Sequence, residues 1–321
     1  MSKTLIQVDG KSVKRGERAV INLNIARLPS GTRIDLPIYV FRSKNPGPIV
    51  LLSAGLHGDE VNGIEIIRQL IATKTFDDLQ CGSVIAIPIM NIFGFLNFSR
   101  EVPDGKDVNR SFPGNKNGSL ASRVAYSLTN VVLKEIDFGI DFHTGGASRY
   151  NFPQVRFAAV DQKSAELAKA FNAPISLVSG LIDKSIRKQA YSLGKPLIVY
   201  EGGETLRFDE EVIAEGIEGA KRVLCHLKML DLTGLSQNKT HFCSSSSWVR
   251  AKKAGLFTSI AKSGQLVKKN EVIGKITDPF GQFEMMVKAT YTGILIGHNN
   301  MPVVHQGDAL FHIGIKAEGK N

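Results

Sequence analysis

The chain has 321 residues, 43% of them hydrophobic and 22% charged, with a formal net charge of +10. This is an ordinary globular composition, long enough for two domains and a sizeable core. It contains no run of about 18 apolar residues, so no membrane span is expected. The positive residues are dispersed and no nucleic-acid motif accompanies them, so no nucleic-acid partner is expected either. The N-terminal stretch lacks an apolar core of signal-peptide type. The three cysteines (Cys81, Cys225, Cys243) are odd in number and far apart. A disulfide framework is not expected, and the setting that fits is reducing and cytoplasmic.

Residues 48–54 (GPIVLLS) read as a buried strand. Val61, Ile64, Ile67, Leu70 and Ile71 then recur at helical spacing. Residues 83–90 (SVIAIPIM) have strand length. Residues 91–114 are polar, rich in Gly and Pro, and too long for an ordinary connection, as functional loops often are. Ser119 can cap a helix through Val124, Leu128 and Val131. Short strands are predicted at 138–142, 155–160 and 196–200, with a helix at 165–171. Asp209 can cap a long helix through Val212, Ile217, Val223 and Leu227. Alternating strands and helices, with strands apolar on both faces, predict an α/β sheet covered by helices on both sides. Functional residues in such sheets gather at the carboxyl ends of strands. His57, His143 and Glu201 all fall there, with Glu201 expected just past its strand.

His57 and Glu60 lie three apart in the turn between the first strand and helix. Taken alone, the pair fits a turn histidine beside a helix N-terminal glutamate, which the helix dipole favours. It also fits two metal ligands, because zinc takes imidazole nitrogen and carboxylate oxygen. His143, in DFGIDFHTGG, is the candidate third ligand. Asp141, two residues earlier, shares its face in a strand, and either orients the imidazole or bonds a loop amide. The long loop holds Arg100, Asn109 and Arg110, and arginine's planar fork grips carboxylates. Glu201, in PLIVYEGGE, suits a general base, with Glu204 as its rival. Arg156 reads as a strand-edge charge or a second anion contact.

The combination GLHGDE, DVNRSFPG, DFHTGG and IVYEGG resembles the succinylglutamate desuccinylase/aspartoacylase family, a branch of the zinc carboxypeptidase-like fold. The resemblance covers nearly the whole chain. It implies one zinc per chain, held by His57, Glu60 and His143. It implies that Asn109 and Arg110 hold the substrate carboxylate, that Arg100 stabilises the oxyanion, and that Glu201 is base and then acid. One departure stands out: this chain reads EGGE where the family pattern has an apolar residue after the Glu, as in ELGG.

Residues 231–246 read as a polar linker. From Trp248 to Ile315, short alternating runs split by glycines predict a small all-β module. It resembles the barrel-sandwich fold of biotinyl and lipoyl domains. Met286 stands where a modified lysine would be expected and Lys288 is displaced, which argues against biotin or lipoate. The expected organisation is a zinc-hydrolase catalytic domain over 1–235, then a linker and β module over 236–321 that narrows access to the site. The expected activity is hydrolysis of an N-acylated amino acid or similar small amide. A zinc carboxypeptidase or amidase acting on short peptides is the alternative, and a non-catalytic binding protein is the reading from another class. Whether the chain forms a homo-oligomer is left open.

Overall fold

The computed structural model describes residues 4–316. The strands β1 (Ile6–Val8) and β2 (Lys11–Val13) form a small hairpin, and β3 (Arg18–Arg27) and β4 (Arg33–Arg42) a long one. There follow β5 (Ile49–Ala54), α1 (Val61–Ala72), β6 (Ser83–Ile87), α2 (Ile92–Leu96), α3 (Leu120–Ser127) and β7 (Phe138–Gly145). Next come β8 (Arg149–Phe157), α4 (Gln162–Phe171), β9 (Ile175–Val178), α5 (Ile186–Ser192), β10 (Leu197–Glu204) and α6 (Glu210–His226). The remainder is all strand: β11 (His241–Cys243), β12 (Ser245–Arg250), β13 (Gly255–Ser259), β14 (Leu266–Val267), β15 (Val272–Thr277), β16 (Glu284–Lys288), β17 (Gly293–Asn299), β18 (Val303–Val304) and β19 (Ala309–Ile315).

A large mixed sheet runs in the order β12-β19-β17-β8-β10-β7-β5-β6-β4-β3. Its centre, β10-β7-β5-β6, is parallel, and the flanking pairs on that path are antiparallel. Strand β5 explains the layering. All six of its residues are buried, and side chains alternate between faces. Ile49 and Leu51 enter one core with Leu36, Ile38 and Ile85. Val50 and Leu52 enter the other, with Ile66 and Leu70 of α1 and Val223 of α6. Each such leucine or isoleucine stabilises the fold by about 1.5–3 kcal/mol. The mixed α/β sheet clothed by helices matches the fold class expected from sequence.

The caps are where the sequence places them. Ser119 Oγ accepts from the Ser122 amide at 3.4 Å, and Asp209 Oδ1 from Val212 at 3.1 Å. The helix read through Val131 continues, but residues Leu128–Leu133 are wound as a π-helix. Several boundaries differ from expectation, three of them near the site or the C-terminal strands. Strand β8 starts and ends earlier than 155–160, β10 runs on through Glu204 so that Glu201 lies within it, and the stretch 231–246 contains β11 and the first two residues of β12.

The C-terminal β module is present in part as expected. β16-β15-β13-β18 form a separate antiparallel sheet, and Phe257, Ile276, Leu295 and Phe311 fill the space against the other strands. Those others, β12, β14, β17 and β19, belong to the large sheet instead, which they join where β17 pairs with β8. Gly297 makes that junction feasible: a Cβ there would sit 2.7 Å from both Asn151 Oδ1 and Tyr150 O. The C-terminal strands are thereby fixed beside the carboxyl ends of β7 and β10.

Candidate active site

The turn after β5 carries His57 and Glu60 into the interior. Gly58 lets it pack against the α2 segment, since a Cβ there would come within 1.9 Å of the Gly94 and Phe95 backbone. Glu60 stands at the N-cap of α1, yet its side chain makes no capping bond. It turns inward instead, with only 2% of its surface exposed. Its Oε1 lies 2.7 Å from His57 Nδ1 and its Oε2 lies 2.7 Å from His143 Nδ1. The Thr144 amide donates to the same Oε2 at 3.1 Å. A helix-end glutamate serving only the dipole would not be buried between two imidazoles.

His57, Glu60 and His143 could hold a metal ion, their ligand atoms all lying within 4.8 Å of one another. The fit extends beyond the three donors. His143 Nε2 lies 2.7 Å from Asp141 Oδ2, while Asp141 Oδ1 accepts from Ser53 Oγ at 2.7 Å. Asp141 therefore bonds the imidazole, not a loop amide. His57 Nε2 is buried without a hydrogen bond and lies 3.4 Å from Asp107 Oδ1. Both rings thus turn Nδ1 to the common centre and have a carboxylate on the far side, as metal-binding histidines do. Two imidazoles and a carboxylate, opening on a cavity, form a donor set that suits zinc and leaves room for a fourth ligand.

Electrostatics tie the cluster together. Burial opposes charge on His143, but Asp141 and Glu60 outweigh it and hold its pKa well above the usual imidazole range. Burial likewise opposes charge on His57, and Glu60 and Asp107 again prevail. Glu60 and Asp107 are in turn driven far below the usual carboxylate range: burial resists, but His57 and His143 together outweigh it at Glu60, and His57 and Arg100 together at Asp107.

The parallel register of β7 and β10 sets Glu201 directly beside His143. Both Glu201 oxygens are held, Oε1 by Arg156 Nη1 at 2.8 Å and Oε2 by Asn151 Nδ2 at 2.6 Å. Its rival Glu204 does not line the cavity and accepts from Asn300 at 2.6 Å. Arg100 is clamped by Asp107, with Nε and Nη2 at 3.1 and 2.9 Å from Oδ2. Its Nη1 lies 3.1 Å from His57 Nδ1 and 3.5 Å from Glu60 Oε1. Asn109 turns its Oδ1 to the Ile186 amide at 2.9 Å, so its NH2 end is the one left to donate. Arg110 is exposed and its Nη1 donates to the Asn109 carbonyl at 2.7 Å.

The eight residues expected to bind metal, catalyse or hold substrate all line one cavity of about 800 Å³, whereas Asp141 and Glu204, also considered, do not. The sequence reading missed others. Asp107 sits inside the DVNR motif and could have been found as the partner Arg100 needs. Asn151, Arg187, Trp248 and Arg250 carried no spacing or motif. Six arginines line the cavity among the described residues (Arg100, Arg110, Arg149, Arg156, Arg187, Arg250), against three carboxylates (Glu60, Glu201, Asp308).

Comparison with known proteins gives the family and the fold. Residues 46–227 match the model of the succinylglutamate desuccinylase/aspartoacylase catalytic domain, more than half of the chain. The chain is 28% identical over 295 residues to N-alpha-acetyl-L-2,4-diaminobutyric acid deacetylase of Halomonas elongata, covering 86% of this chain and 84% of that one. A succinylglutamate desuccinylase/aspartoacylase structure from Rhodobacter sphaeroides superposes with a TM-score of 0.83 at 26% identity, over 92% of this chain and 95% of that one. A product-bound ectoine utilization protein from Ruegeria pomeroyi shares the fold, with a TM-score of 0.85 at 24% identity, over 98% and 100% of the two chains. The chain belongs to the succinylglutamate desuccinylase/aspartoacylase family.

Proposed function

We propose that this chain is a zinc-dependent hydrolase that cleaves the amide bond of an N-acylated amino acid or a similar small, carboxylate-bearing amide. The observation that carries the proposal is Glu201 in register with His143, beside the His57–Glu60–His143 cluster and within one cavity. The Halomonas relative, named as a deacetylase of an acetylated amino acid, supports the same reading.

Zinc, when bound, supplies Lewis-acid polarisation and acidifies water toward neutral pH. Every other part of the chemistry falls to side chains. Glu201 takes a proton from the attacking water and returns it to the leaving amine nitrogen. Arg156 and Asn151 fix the Glu201 oxygens, so the base is oriented before substrate arrives. Arg100, clamped by Asp107, directs Nη1 toward the charge that develops on the carbonyl oxygen. The Asn109 amide NH2 and the Arg110 guanidinium receive the substrate carboxylate.

The division of labour follows the chain. Residues 1–235 carry the catalytic groups. From the C-terminal part of the chain, Trp248, Arg250 and Gly307–Ala309 wall the cavity, which favours a small substrate over a peptide in an open groove. The three cysteines are free, which fits a cytoplasmic protein. Among the described residues, no helix is long and apolar enough to cross a membrane.

Metal analysis of the gently purified protein is expected to find about one zinc per chain. The zinc-loaded protein is expected to release free amine from N-acetyl or N-succinyl amino acids and far less from dipeptides. A protein that neither contains nor takes up zinc, or that prefers amides lacking a carboxylate, would overturn the proposal.

A further inference from the structure

Exposed large apolar side chains are not spread evenly over the surface. Five of them fall in two short segments: Phe95, Leu96 and Phe98 at and just past the end of α2, and Leu206 and Phe208 between β10 and α6. Phe98 is 72% exposed, Phe208 67% and Leu96 61%. The two segments flank one turn. Gly58 packs against the backbone of Gly94 and Phe95, and the Leu206 amide donates to the Asp59 carbonyl at 2.9 Å. None of the five lines the cavity. Both segments are held in place from beneath. Phe93 is buried under the first, and the Asn97 side chain donates to the Phe93 carbonyl at 2.9 Å. At the end of the second, the Asp209 amide donates to Asn62 Oδ1 at 3.1 Å. Phe98 and Leu206 both have positive φ, 52° and 57°, a conformation that bulky side chains avoid unless the surroundings impose it.

We propose that this patch is the contact face of a two-fold dimer, covered by the same patch on a second copy of the chain. Area and charge both select that occupant. Taking about 150–250 Å² for a whole large side chain, the five together expose roughly 500 Å². Monomers rarely leave so much apolar surface in one place. A standard interface buries about 800 Å² on each partner, of which roughly 60% is apolar, close to the same value. The charges beside the patch are self-complementary. Arg207 lies between Leu206 and Phe208, and Glu210 and Glu211 follow in the first turn of α6. All three are exposed, and none is ion-paired among the described residues. A two-fold axis through the patch sets Arg207 of each copy against the acidic turn of the other, so the attraction occurs twice. A partner surface of uniform charge would meet repulsion at one of the two. The dimer is independent of the reaction assigned to the cavity.

Sedimentation velocity on the full-length protein tests the contact. The wild type is expected to sediment as a dimer at micromolar concentration. Phe208→Asp is expected to raise the dissociation constant at least about thirtyfold, as loss of a central aromatic does, with the circular dichroism of the wild type. Arg207→Glu and, in a separate protein, Glu210→Arg with Glu211→Arg are each expected to weaken the dimer at least about tenfold at low salt, because like charges then face each other. Mixing these two proteins in equal amounts is expected to restore the dimer, since each face again meets opposite charge. Pairing between two copies is what such a rescue requires. A wild type that stays monomeric, or a dimer that Phe208→Asp leaves intact, would overturn the proposal. So would a mixture no stronger than its parts. Should Phe208→Asp fail to fold, the charge variants and their mixture decide.

Discussion

The two walls of the cavity are built on opposite plans. On the wall formed by β7, β8, β10 and the loops after β5 and α2, the charged groups are answered by one another: Glu60 by two histidines, His143 by Asp141, Arg100 by Asp107, Glu201 by Arg156. The wall formed by α5 and the C-terminal strands is looser. It offers a guanidinium with one unpartnered nitrogen and a tryptophan stacked on a buried histidine. Closed networks hold geometry to within fractions of an ångström, as bond-breaking chemistry requires. The groups proposed for the chemistry therefore sit in closed networks, whereas the opposite wall keeps buried polar atoms without partners.

The sharpest way to break this contrast is at Glu201. Glu201→Gln keeps the shape and the hydrogen bond to Asn151 but removes the proposed proton acceptor. Turnover is expected to fall about 10³-fold, within the range that a general base supplies. Zinc content should stay unchanged. A fall of less than about tenfold would move proton transfer off this wall. Asp141→Asn comes next, because it loosens His143 without touching a ligand atom. Zinc affinity is expected to drop about 10–100-fold, measured by competition with a chelator, while the ranking of substrates stays as in the wild type. A changed ranking would show that the two walls are coupled.

The same contrast marks what the sequence could reveal. The wall with the candidate metal ligands is legible because the chemistry proposed there demands fixed residue types at strand ends: HxxE after an apolar strand, His143 at the end of another, Glu201 on a third. Sequence left the alternative of a helix-end glutamate open, and only the inward turn of Glu60, without a capping bond, decides it. The first 47 residues were legible in principle. Ile21, Leu23 and Ile25 are buried at alternating positions along β3, a period-2 signal that the reading did not use. The second wall was not legible. Arg187 reaches the cavity because the Asn109 side chain receives the start of α5, and Trp248 because β17 pairs with β8 across sequence gaps of roughly 150 residues. No local pattern encodes such meetings. The β module expected from sequence is present only in part for the same reason: half of its strands form a sheet of their own, and half continue the main sheet.

The smallest expected effect lies at His312, on the substrate wall. Its ring stacks on Trp248 with centroids 4.2 Å apart and planes 5° from parallel. It is 6% exposed and its Nδ1 has no partner. Burial, aided by Arg156 and Arg149, pushes its pKa down to about 3. The folded state therefore keeps this imidazole neutral, while the unfolded chain protonates it near the ordinary value of about 6.5. Between those two values the unfolded state binds the extra proton, so this contribution is complete above about pH 6.5 and is lost as pH falls. The slope is at most about 1.4 kcal/mol per pH unit. His312→Phe preserves the stack and abolishes the titration. Its melting temperature should decline less steeply than that of the wild type from pH 6.5 to 4, with zinc content unaltered. Coincident slopes would mean that His312 takes up its proton in the folded state, and that the wall behind Trp248 is open to water.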